Sequence, residues 1–199
     1  FSFHPVKTMT TAEGGAVCTN NKKLYEKVKI LRSHGITRNT KYLKNKNYKW
    51  YYEQRLLGYN YRLNEIQSAL GISQLKKIKK FVRKKNLIKE CYLKGLKKLP
   101  ISFQDTRSDI YSSYHLFIIR VNSKIRNKIN IYLNNKGIQT NLHYIPIYRH
   151  PYFKKFNFNY IHFSNSEKYY REAISLPMHA GLSFKQVNYV IKYLKKFFI

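Results

Sequence analysis

Leu24, Val28 and Leu31 recur at helical spacing, with Asn20 and Asn21 just ahead of them as caps, which predicts a helix through about Arg32. His34-Gly35 supplies its stop. Upstream, residues 1–3 read as the end of a strand and residues 4–13 as a loop. "GGAVCTN" at 14–20, a short apolar run after two glycines, reads as a buried strand. Residues 36–58 are polar, basic and aromatic without clear period, so they read as an exposed excursion that becomes ordered towards Tyr51. "RLNEIQSALGISQLKKI" then sets Ile66, Leu70 and Ser73 in one row with Ala69 and Ile72 beside it, a strong helix signal. A second, longer helix with a basic outer face is predicted to about Lys98, where Leu99-Pro100 stops it.

The last hundred residues have the pattern of a small α+β unit. "YHLFIIRV" at 114–121 is the best strand in the chain, and "KIRNKINIYLNNKG" reads as a helix with Gly137 in the C′ position. "IQTNLHYIP" reads as a second strand and "ISLPMHAGL" as an extended segment. Ser164-x-x-Glu167 and Ser183-x-x-Gln186 both have the capping-box spacing. There is no internal repeat and no Gly/Ser-rich linker, so the boundary between the halves is expected inside the long helix, near 75–98.

Composition changes this picture in one respect. Lys and Arg number 39 against 9 Asp and Glu, a formal charge of +30 over 199 residues. Such a balance suits a polyanionic partner, and a basic nucleic-acid-binding module is one reading. The other is compositional drift: the excess is mostly Lys, it accompanies many Asn, Ile, Tyr and Phe, and it is spread over nearly every predicted helix. On that reading no specific nucleic acid is expected, only salt-sensitive, sequence-independent binding. Cys18 and Cys91 have no CxxC spacing and make no disulfide framework, and no secretory or membrane-spanning pattern is seen, so a cytoplasmic protein is expected. The amphipathic "YVIKYLKKFFI" is expected to pack on its own domain rather than on a membrane.

Lys7 is the residue with most chemistry around it. It follows an apolar strand end, beside His4, with Ser2, Thr8, Thr10 and Thr11 close by. Hydroxyls and backbone amides near a lysine make an anion cradle. An amine beside a phosphate cradle is what a pyridoxal phosphate site requires. By itself the arrangement is weak, because a loop lysine is commonly a solvated charge.

Two longer stretches add to it. "SFHPVKTMTTAEGGAVCTN" closely resembles the lysine segment of the DegT/DnrJ/StrS sugar-nucleotide aminotransferases, and "GYNYRLNEIQSALGISQLKKI" resembles that family's next signature. "RSHG", "IQTNLHYIPIY" and "ISLPMHAGL" are also similar to it, so the resemblance runs the length of the chain, nearest to the branch serving pseudaminic acid biosynthesis. It implies an α/β protein of the type I PLP-dependent aminotransferase fold: the C-terminal part of the large domain over 1–85, then a small C-terminal α+β domain over 86–199. Because the family's lysine lies near the middle of its members, the chain is expected to correspond to their C-terminal half. The missing N-terminal half would hold the aspartate that pairs with the pyridine nitrogen, so the chain alone is expected to be catalytically incomplete.

The resemblance also implies roles. Lys7 matches the Schiff-base lysine that holds pyridoxal 5'-phosphate and moves the proton. Ser2 matches a donor to the cofactor phosphate; its alternative is an ordinary strand-end serine. His4 either contacts phosphate or packs in the loop, and Glu13, Gly14 and Gly15 shape the backbone. Asn60 matches the residue that reaches the phosphate of the neighbouring subunit's cofactor, which implies a homodimer; its alternative is a cap for the helix that follows. Arg62 either pairs with Glu65 or supports the site. Asn141, Leu142, His143 and Tyr144 match a segment that contacts the nucleotide-sugar. His143 and Tyr144 would alternate faces on a strand, placing at least one in the core. Tyr148 and His179 are weaker candidates, and Pro146 and Pro177 are expected to set turns. The implied activity is transamination of a 4-keto-6-deoxy UDP-sugar with glutamate as donor, without metal or membrane. The alternatives are a catalytically incomplete fragment, or half of a split enzyme, and the basic nucleic-acid-binding module.

Overall fold

The computed structural model describes residues 1–158 and 160–199. It divides into two compact units, 1–78 and 79–199.

The first unit opens as a closed loop, described below, and continues into helix α1, Lys22–Leu31. Asn21 caps α1, its side-chain oxygen accepting from the Leu24 amide at 3.1 Å. At the other end Gly35 has φ +70°, and a Cβ there would lie 1.7 Å from the Leu56 carbonyl oxygen. Only glycine allows the returning chain to cross this closely. The crossing is held by the Arg55 amide donating to the Gly35 carbonyl at 2.7 Å. It sits beside a short antiparallel pair, β1 (Ile36–Thr37) with β2 (Glu53–Gln54).

Helix α2, Glu65–Leu96, is one unbroken rod of 32 residues where the pattern predicted two helices. Nothing between its halves breaks it. Gly71, inside the first of the two predicted helices, is buried, and a Cβ there would stand 3.0 Å from Thr11 Cγ2. That glycine serves close packing rather than a turn.

The second unit is built on a three-stranded antiparallel sheet in the order β3-β4-β5: Ser102–Phe103, Phe117–Arg120 and Ala173–Leu176. Phe117 pairs with Leu176 and Ile119 with Ile174, putting alternate apolar residues on one face. Helices α3 (Ser123–Asn134), α4 (Ser164–Glu172) and α5 (Phe184–Phe197) complete it. Ile88, Tyr92 and Leu96 of α2 enter this core at i, i+4 spacing, meeting Ile129, Leu133, Val187 and Leu194. The Tyr92 ring stacks on Phe117 at 4.9 Å, and its hydroxyl donates to the Pro177 carbonyl at 3.0 Å. Burial pushes that hydroxyl's pKa up.

Several sequence expectations are corrected here. Residues 1–3 and 14–20 form a single bridge, Ser2 to Gly15, not strands, and Val17 and Cys18 are exposed. Two short segments with no further sheet neighbour among the described residues do not extend a ladder. "IQTNLHYIP" likewise makes one bridge, Asn141 to Ser175. Gly137, at φ +71°, lies two residues beyond the C-cap Asn135 rather than at C′. Of the two capping boxes, Ser183 and Gln186 form theirs, but Ser164 does not.

The Ser164 box does not form because Phe163 holds the N-cap position of α4 and Glu167 is engaged elsewhere. It accepts from Arg149 Nε at 2.8 Å, from Arg149 Nη2, and from the Tyr148 hydroxyl at 3.1 Å. The Arg149 hydrogen bonds hold its carboxyl below the ordinary 4.5 despite burial, which acts the other way. A depressed folded pKa contributes stability that is present above the unfolded value and lost as pH falls through the folded one. Glu167→Gln is therefore expected to cost about 1–3 kcal/mol at pH 7. The deficit should shrink as urea titrations are taken down through pH 4; a deficit independent of pH would refute the ion-pair account.

Candidate active site

In the first unit the chain closes on itself around Lys7. The Phe3 amide donates to the Gly14 carbonyl at 2.9 Å, and the Ala16 amide to the Phe1 carbonyl at 3.0 Å. The Thr11 amide donates to the Phe3 carbonyl at 3.0 Å, and the Thr10 hydroxyl donates to the same oxygen at 2.9 Å. Residues 4–10 are thereby a tight loop, with Lys7 at a turn where its amide donates to the His4 carbonyl at 3.0 Å.

Thr10 and Thr11 therefore serve the backbone. The Thr11 hydroxyl donates to the Glu13 carbonyl at 2.6 Å, and Thr10 Oγ1 accepts from the Ala12 amide at 3.0 Å. Gly14 is pinned inside this turn at φ +144°, where a Cβ would lie 2.6 Å from Thr11 Oγ1 and 2.9 Å from Leu63 Cδ1. Ser2 is exposed, with one long contact at 3.5 Å from the His4 amide to its hydroxyl. His4 Nε2 lies 3.9 Å from Glu13. Lys7 is half-buried, and among the described residues no carboxylate pairs with it.

Helix α2 is tied to this loop through its first turn. Gln67 Nε2 donates to the Glu13 carbonyl at 3.1 Å. The cap of α2 is Asn64, whose side chain accepts from the Gln67 amide at 2.8 Å while Gln67 Oε1 accepts from the Asn64 amide at 3.3 Å. Asn60 is not that cap. It bridges Ser33, is exposed, and accepts from Arg62 Nε at 2.9 Å. Arg62 thus orients Asn60 instead of pairing with Glu65, and it also approaches His34 Nε2 at 3.5 Å. Tyr59 and Tyr61 stack at 4.7 Å on either side of Asn60 in sequence.

Asn141, Leu142, His143 and Tyr144 lie in the second unit, in a connection beside β5. The Asn141 carbonyl accepts from the Ser175 amide at 2.8 Å. The expectation that His143 or Tyr144 is core fails, because the segment is not a strand. His143 is half-buried, its Nδ1 2.8 Å from Ser175 Oγ, and Tyr144 is 68% exposed. The Tyr169 hydroxyl donates to the His143 carbonyl at 3.2 Å, fixing the segment to α4. Tyr148 is buried on Glu167, and His179 is exposed.

Sequence reasoning missed Ser175 and the Arg149–Glu167 pair. Their signal lay in scarcity: with nine acidic residues in a +30 chain, each carboxylate has a choice of cations, and Glu53, Asp109, Glu167 and Glu172 each take an arginine.

Comparison with known proteins puts this geometry in context. Residues 1–195 match the model of the DegT/DnrJ/EryC1/StrS aminotransferase family. The UDP-4-amino-4,6-dideoxy-N-acetyl-beta-L-altrosamine transaminase of Helicobacter pylori is 38% identical over 203 residues, covering 100% of this chain and 52% of that protein. The structure of Helicobacter pylori PseC, an aminotransferase involved in the biosynthesis of pseudoaminic acid, superposes with a TM-score of 0.88 at 38% identity, over 100% of this chain and 52% of that one. A structure described as the PLP form of the sugar aminotransferase Spr1654 from Streptococcus pneumoniae superposes with a TM-score of 0.84 at 28% identity, over 98% and 50%. The chain spans about half the length of the curated relatives it matches. With its family model matched almost end to end and its closed lysine loop in place, the chain belongs to the DegT/DnrJ/EryC1/StrS aminotransferases.

Proposed function

We propose that this chain supplies the lysine-bearing part of a PLP-dependent sugar-nucleotide aminotransferase. On this reading it moves an amino group from glutamate to C4 of a 4-keto-6-deoxy UDP-sugar, in pseudaminic acid or surface-glycan biosynthesis. The observation that carries the proposal is the closed loop: it presents one amine, Lys7, while the neighbouring threonines are occupied in holding the backbone. The residues fit pyridoxal phosphate. Lys7 has no carboxylate partner among the described residues, and the exposed Ser2 hydroxyl keeps its donor for a phosphate.

When bound, pyridoxal phosphate supplies an electron sink for cleavage of the C–H bond at the amine-bearing carbon. Lys7 Nζ would accept that proton from the donor's Cα and return one to the sugar's C4. Ser2 holds a phosphate oxygen through its hydroxyl. Asn60, its oxygen engaged by Arg62 Nε, offers its side-chain amide N–H groups to the phosphate bound by the partner subunit. Asn141, Leu142, His143 and Tyr144 receive the nucleotide-sugar, with Tyr144 exposed for contact and His143 anchored on Ser175. The division into 1–85 and 86–199, the cytoplasmic location and the homodimer belong to the same proposal.

A second reading is favoured by exposed apolar side chains in the first unit. Leu57 is 90% exposed and Ile66 83%, although Ile66 stands in the apolar row of α2. Such surface calls for cover, here by a second polypeptide carrying the rest of the large domain. On this reading the chain is half of a split enzyme or an incomplete fragment, and it is inactive by itself.

Lys7 is expected to carry the label when the PLP-loaded assembly is reduced with borohydride and its peptides are mapped. A label on another lysine would overturn the assignment, and Lys7→Ala should abolish transamination. Gly14→Ala should destabilise the loop by about 1–3 kcal/mol, since alanine is strained at φ +144°. Measured by labelling of Lys7, it should reduce cofactor uptake at least several-fold. Sedimentation of the chain alone should show association or aggregation, relieved by co-expression with the large-domain half of a relative. A stable monomer with transaminase activity would refute the second reading.

A further inference from the structure

Lysines are spread through the sequence, but the fold gathers some of them. Helices α3 and α5 pack against each other and carry seven Lys and Arg residues with no carboxylate between them. At their shared surface Lys136, Lys192 and Lys196 each place Nζ 5.9 Å from the centroid of the Tyr193 ring. No two of the ammonium groups can then be further apart than twice that distance, a range over which a Debye length of ~10 Å at 0.1 M salt leaves part of their repulsion unscreened. None of the three has a carboxylate partner among the described residues.

Ring electrons offset only part of such mutual repulsion, since an exposed cation–π contact contributes about 0.5–1 kcal/mol. An anion would relieve the rest. The ring cluster is organised: Tyr132 and Tyr189 flank Tyr193 at 6.4 and 4.6 Å, and the Tyr189 hydroxyl donates to the Lys136 carbonyl at 3.2 Å, fixing the lysine's turn. Tyr189 is 43% exposed and offers a ring for stacking. Arg126 on α3 marks the contrast, because its guanidinium is spent on the Tyr170 carbonyl and ring.

Basic side chains interleaved with aromatic rings are what single-stranded nucleic acid requires: cations for the phosphodiester backbone, rings for the bases. A lipid surface fits less well. The apolar face of α5, with Val187, Val190, Ile191 and Leu194, is buried in the core and has nothing left to insert. We propose that this α3–α5 face binds single-stranded nucleic acid, without sequence preference, through Lys136, Lys192, Lys196 and Tyr189.

The test is fluorescence anisotropy of the full chain against labelled oligo(dT) of about 20 nucleotides across a salt series. The triple variant Lys136→Gln, Lys192→Gln, Lys196→Gln should bind about tenfold more weakly, with the salt slope reduced by about 2. The control Lys22→Gln, Lys23→Gln, Lys27→Gln, on α1, removes the same charge and should change affinity by less than about threefold. Tyr189→Leu should weaken binding while leaving the salt slope unchanged. Circular dichroism checks that each variant is folded. Equal losses in the two triple variants would overturn the proposal, because the charge would then act as a uniform field. Tighter binding to phosphatidylserine vesicles than to oligo(dT), or a strong preference for one base sequence, would also overturn it. None of these outcomes depends on transaminase activity.

Discussion

The dependence of both units on α2 is the constraint from which the rest follows. In the second unit its C-terminal half contributes Ile88, Tyr92 and Leu96, each fully buried, to the core beneath β4 and β5. Each such side chain removed from water contributes about 1.5–3 kcal/mol, so this row is among the largest stabilising features of the unit. Gly95 belongs to the same constraint, since a Cβ there would meet Ile191 Cδ1 at 2.7 Å. In the first unit the N-terminal half of α2 does different work. Gln67 and Gly71 hold the lysine loop by a hydrogen bond and by close approach, while Ile66 stays in water.

That asymmetry explains why the two units differ in character. The second has a continuous apolar core, and its 141–144 segment is held through Ser175 and Tyr169. The first is held mainly by backbone and hydroxyl hydrogen bonds around residues 1–16 and by the Gly35 crossing. Thr10 and Thr11 are consumed internally, by the Phe3 and Glu13 carbonyls and the Ala12 amide. A loop closed this way holds an amine in place without a large core, because ordering is shared among many short-range bonds.

Charge acts on the same structure in two ways. Scarce carboxylates are drawn to arginine, whose fork makes two bonds where lysine makes one, as at Arg149–Glu167 and Arg120–Glu172. Some of the remaining lysines settle over aromatic rings, which are abundant here, and Tyr193 collects three of them. The composition that reads as uniform along the chain is therefore uneven on the folded surface.

Local pattern determined a good deal. The cap at Asn21, the Ser183–Gln186 box, a strand within 114–121, which the fold trims to Phe117–Arg120, and the end of α2 shortly before Leu99-Pro100 are visible in the residues, because each depends on neighbours within one turn or one strand. The order of motifs around Lys7 and Asn60 was equally legible, and with it the family. Tertiary structure decided what local pattern leaves open. It ran two predicted helices into one, Glu65–Leu96. It withheld the strands at 14–20 and 138–146, because a strand exists only where a partner extends the ladder. It drew Glu167 away from its cap to Arg149, turned Arg62 to Asn60, and set His143 against Ser175. Each of these is a competition between partners, and proximity in space, which the linear pattern does not encode, selects the winner.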